Sequence, residues 1–108
     1  MAIDIANNIR AVELLKLEIL QKVTDLFGDI SPGADNETFS RISQDSAALI
    51  SLTYLLSSRL GVKFDDINEE MKKSLLIGIK DNHILERKYG DLSELLDCIS
   101  LEKRREIS

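Results

Sequence analysis

The chain has 108 residues, 44% of them hydrophobic and 31% charged, with a formal net charge of −5, which suits one domain with a modest core. That acidity argues against a nucleic-acid backbone as partner, because such binding rests on clustered Lys and Arg. The single cysteine, Cys98, excludes an intramolecular disulfide, and no Cys/His ligand cluster for zinc is present.

No run approaches the roughly 20 apolar residues of a membrane span. The N-terminus lacks the basic-then-apolar layout of a secretory signal. A cytoplasmic location, away from membranes, is therefore expected.

Taken in chain order, a first helix is predicted from about Asp4 to Ile30. Ile5, Ile9, Val12, Ile19, Val23, Leu26 and Ile30 recur at helical spacing, with Asp4 as N-cap. The segment GDISPGADN holds the one proline and two of the five glycines and predicts a connecting loop. A second helix follows from about Glu37 to Leu60, with Ile42, Leu49, Leu52, Leu56 and Leu60 as its inward stripe. Ile50, Tyr54 and Leu55 point away from that stripe. A helix apolar on two sides is central, or is covered by a second subunit. Gly61 then supplies a C-terminal stop.

A third helix is predicted at DDINEE, where Asp66 and Glu69 have the spacing of a capping box and Ile67, Met71, Leu75 and Ile79 form an inward stripe. The fourth opens at YGDLSELL. Gly90 ends the preceding helix, Asp91 with Glu94 repeats the capping pattern, and Leu92, Leu95, Leu96 and Ile99 form the apolar face. Cys98 lies among these and is expected as a small core residue, while His83 is expected as a solvated helix-end histidine. The basic tail EKRRE would complement the dipole of the last helix. No stretch alternates with period two. The fold class expected is all-α, in a single domain spanning residues 1–108.

Two charged residues fall on the inward stripes. Asp45 lies three residues after Ile42 and four before Leu49, where an ionised carboxylate is costly to bury without a partner. Lys16 lies between Val12 and Ile19, with Glu13 flanking the same stripe. Either Lys16 snorkels to water along its methylenes, or it meets Asp45 across an antiparallel pair of helices, with Glu13 beside them. Glu18 stands four residues before Lys22, the favourable spacing of an exposed ion pair.

Three stretches, NIRAVELLKLEIL, YLLSSRLGVKFDDI and YGDLSELL, together resemble the MazG-like family, a branch of the all-α nucleoside-triphosphate pyrophosphohydrolase superfamily. The resemblance implies a four-helix bundle completed by homodimerisation, in a dimer or tetramer. It implies a nucleoside triphosphate as substrate, cleaved to monophosphate and pyrophosphate, with magnesium as cofactor. Active relatives carry Glu-Glu-x-x-Glu on the first helix and Glu-x-x-Asp on the second, hard oxygen ligands that surround magnesium.

This chain departs from that pattern. In the favoured register VELLK, Glu13 is kept while Val12 and Lys16 replace acids. The other register, LEILQ, keeps Glu18 and ends on Gln21. The second motif reads DSAA, so Asp45 stands for Glu and Ala48 for Asp. The resemblance thus assigns Glu13 and Asp45 as catalytic and metal-binding residues and Lys16 as a phosphate-binding point charge. The function expected is that of a pyrophosphohydrolase-type protein with an incomplete carboxylate set. The alternative is a non-catalytic module for nucleotide sensing or protein assembly.

Overall fold

A computed structural model describes residues 5–30, 33 and 35–107, with side-chain surroundings through residue 100. Asp4, expected as a cap, and the side chains of the EKRRE tail lie outside the described residues. All regular structure among the described residues is α-helical: α1 (Ile5–Asp29), α2 (Asn36–Arg59), α3 (Phe64–Lys80), α4 (Ile84–Tyr89) and α5 (Asp91–Ile107). The chain divides into two compact units, residues 1–63 and 64–108. No described helix is long and apolar enough to cross a membrane.

In the first unit α1 and α2 pack as an antiparallel hairpin. Val12, Leu15, Ile19, Val23 and Leu26 of α1 are half-buried, as are Ile42, Leu49, Leu52 and Leu56 of α2. Ile5, Ile9 and Ile30, placed on the same stripe by their spacing, are 57–68% exposed. At 100° per residue Ile9 has turned well away from the direction shared by Leu15, Ile19 and Leu26, so it lies on the flank.

α2 starts at Asp35, whose carboxylate accepts from the Thr38 backbone N–H at 2.9 Å and from its hydroxyl at 3.1 Å. It ends in a Schellman motif. Val62 N–H reaches the Ser57 carbonyl, Gly61 N–H reaches Ser58, and Gly61 adopts φ 93°. The predicted glycine stop is therefore formed.

In the second unit α3 packs on α5, and α4 adjoins α5. α3 begins at Phe64, so Asp66 lies within its first turn rather than at the cap. It ends in another Schellman motif: His83 N–H bonds the Gly78 carbonyl and Asn82 N–H bonds Ile79. Here Asn82, not glycine, occupies the left-handed position at φ 60°. Gly78 also lets α5 come close, since a Cβ there would meet Leu92 Cδ1 at 2.7 Å.

His83 caps α4, its Nδ1 accepting from Leu85 N–H at 3.1 Å, in keeping with the exposed helix-end histidine expected. Gly90 at φ 70° separates α4 from α5. One N–H of α5's first turn, that of Ser93, is met from outside that helix. Glu86 Oε1 accepts from Ser93 N–H at 2.9 Å, and Oε2 accepts from the Ser93 hydroxyl. Asp91 is therefore the first residue of α5 and not its cap.

Cys98 corrects a core assignment: it is exposed. Leu92, Leu96 and Ile99 are the half-buried apolar positions of α5, with Leu95 exposed, and Cys98 points roughly 100–160° away from them.

Candidate functional site

The hairpin register follows from contacts spread along its length. Asn8 donates to the Arg59 carbonyl at 3.3 Å, Lys22 meets Asp45, and Arg41 meets Asp29. α1 ends and α2 begins within a few residues of each other, so positions equally far from the loop come together. Asp45, nine residues into α2, therefore faces the last two turns of α1.

Around Asp45 the two helices gather four further charged side chains, Lys22, Asp25, Asp29 and Arg41. Lys22 Nζ lies 3.7 Å from Asp45 Oδ1 and 3.5 Å from Asp25 Oδ2. Arg41 Nε lies 3.4 Å from Asp29 Oδ1. The side chains of Asp45 and Asp29 are 15% and 16% exposed, so water screens them poorly. Asp29 Oδ2 is buried with no donor bound to it.

The Asp45 and Asp29 carboxyls are within hydrogen-bonding reach of each other. That contact, then burial, then the charge of Asp29 hold the Asp45 carboxyl above its usual range. Lys22 pulls in the opposite direction and Asp25 adds to the rise.

Lys16 and Asp45 do not meet. Lys16 Nζ instead bonds Glu13 Oε1 at 3.0 Å, with both side chains more than half exposed. Lys16 lies about 9 Å along α1 from Lys22, and Glu13 about 13 Å, at 1.5 Å rise per residue. Glu13, Lys16 and Asp45 thus occupy different levels of the hairpin. Lys22, expected as an exposed partner of Glu18, turns inward to Asp25 and Asp45.

Asp25, Asp29 and Arg41 were not singled out from the sequence, and Lys22 was read only as a surface partner of Glu18. Helical spacing places a residue around one helix but not along its neighbour. Counting outward from both sides of the GDISPGADN loop would have found them.

The α1 residues paired around Asp45 are Lys22 and Asp25, three apart as are the second and third acids of Glu-Glu-x-x-Glu. Gln21, Lys22 and Asp25 thus offer the same spacing as the VELLK and LEILQ registers read from the sequence, at the level of Asp45. Ala48 occupies the second acid position of α2.

The residues present do not fit a protein-held magnesium ion. An ammonium already lies against the carboxylates of both helices, and a guanidinium takes Asp29. Among the described residues no three His, Cys, Asp or Glu side chains are grouped so as to hold a metal.

The MazG-like family model matches residues 5–92, covering the α1–α2 hairpin, all of α3 and α4, and the start of α5. No curated protein and no solved structure matches the chain.

Proposed function

Because this chain belongs to the MazG-like family, we propose that it is a nucleotide-pyrophosphohydrolase-type protein that has kept the helical scaffold and lost efficient cleavage of nucleoside triphosphates to monophosphate and pyrophosphate. The observation that carries this reading is Lys22, ion-paired to Asp25 and Asp45; with the family's Glu-Glu-x-x-Glu set on Gln21, Lys22 and Asp25, it puts a cation at the second acid position. Multivalent binding of a phosphate-bound cation needs several oxygen ligands on facing helices. Here the α2 pair is reduced to Asp45, and one α1 acid is reversed in charge. The phosphate-facing point charge expected of Lys16 passes to Lys22.

A second reading, an assembly module of the same scaffold, is favoured by the apolar faces left open. Among the described residues no hydrophobic side chain is fully buried, and Leu14, Leu17, Leu20 and Phe27 of α1 are 56–67% exposed. A second copy of the chain, in a dimer or tetramer, would cover them. The two readings are compatible, since a scaffold can assemble with or without turnover.

The test is pyrophosphate release from a panel of ribo- and deoxyribonucleoside triphosphates, with magnesium and then manganese. Asp45→Asn and Glu13→Gln run alongside. No release above the Asp45→Asn level is expected from the wild type or from Glu13→Gln. Metal-dependent release that Asp45→Asn abolishes would overturn the reading.

A further inference from the structure

We propose that the Lys22 ammonium is the resident cation of the α1–α2 site, holding Asp25 and Asp45 together in place of a divalent metal ion. This rests on the reading above, because it concerns the same face of the hairpin. The lysine contacts an acid of its own helix and one of the neighbouring helix, at 3.5 and 3.7 Å. An ordinary surface pair spans one turn of one helix, as Lys16–Glu13 does; Lys22 bridges two helices.

Its surroundings suit that role. Lys22 is about one-third exposed and Asp45 half as much, so the pair is less screened than the surface pairs of this chain. Lys22 and Arg41 together balance two of the three carboxylates Asp25, Asp29 and Asp45. A divalent ion needs the opposite, several uncompensated oxygens converging at about 2.1 Å for magnesium. It would have to displace a fixed positive charge from the same oxygens. With an acid at position 22 the balance reverses, leaving four carboxylates against Arg41.

The proposal is tested by Mn2+ binding to the nucleotide-free protein, followed by water-proton relaxation. Wild type is expected to show no saturable site through the millimolar range. Lys22→Glu is expected to gain one site, bound at least about tenfold more tightly than by wild type, and to lose it when combined with Asp45→Asn. Lys22→Gln removes the charge without adding an acid, so it decides the matter if Lys22→Glu loses its helical circular dichroism; weaker but measurable binding is expected.

A saturable wild-type site that Asp45→Asn removes would overturn the proposal. So would folded Lys22 variants that bind no better than wild type. Pyrophosphate release overturns the functional reading, whereas metal binding by the free wild-type protein overturns this inference, and the two are measured separately.

Discussion

Asp45 and Asp35 are both carboxylates on α2, yet the structure moves their proton affinities in opposite directions. The Thr38 backbone N–H, followed by its hydroxyl, holds Asp35 below its usual range. The stability that Asp35 contributes is therefore present above the unfolded carboxylate range and lost as pH falls through the lowered folded value. Asp45, raised chiefly by its contact with Asp29, contributes in the reverse sense. Its proton favours the folded state in acid, and that contribution disappears as pH rises through the raised folded value. Asp35→Ala is thus predicted to lower Tm at neutral pH, with the deficit shrinking on acidification. Asp45→Asn is predicted to raise Tm relative to wild type at neutral pH, with the gain shrinking in acid. Thermal melts across pH check both, and parallel curves for either variant would refute its assignment.

At the scale of elements, helix ends explain more of the order than propensity does. Gly61 and Asn82 occupy equivalent positions in two Schellman motifs, but only glycine is free of steric cost there. Asn82→Gly is predicted to stabilise the second unit. Asn82→Ala is predicted to cost about 1 kcal/mol, the scale of the left-handed penalty for a residue with a Cβ. Denaturant titration distinguishes them, and equal stabilities would contradict the motif.

The helices themselves were legible because the 3.6-residue period is local: Leu49, Leu52 and Leu56 pack where their spacing put them. Gly61 and Gly90 could be read as stops for the same reason. The cap of α5 could not, because Glu86 reaches Ser93 from another helix. Nor could the partner of Asp45, which depends on the hairpin register and not on either helix alone.

For the whole molecule, the uncovered apolar faces bear on assembly. Ile50 is 57% exposed and Leu55 48%, while Tyr54 is half-buried, on the helix whose two-sided pattern predicts a central place or a covering second subunit. Such exposed apolar side chains are what the proposed second copy would cover. The proposed assembly predicts a dimer or tetramer at micromolar concentration by sedimentation, with Ile50→Glu shifting the population toward monomer. A strictly monomeric wild type would remove the assembly reading. Oligomers of both proteins in equal proportion would place the interface elsewhere. Family membership was legible from three dispersed stretches taken together, and the family model matches residues 5–92. The pairing of Lys22 with Asp45 was not, because it depends on how the two helices are set against each other.

The central claim is that Lys22, and not Lys16, is the lysine opposite Asp45. A double-mutant cycle in denaturant measures it most directly, using Lys22→Gln, Lys16→Gln and Asp45→Asn singly and in pairs. The account predicts a coupling between Lys22 and Asp45 well beyond experimental error, with Lys16 and Asp45 additive. Additivity at Lys22 together with coupling at Lys16 would contradict it.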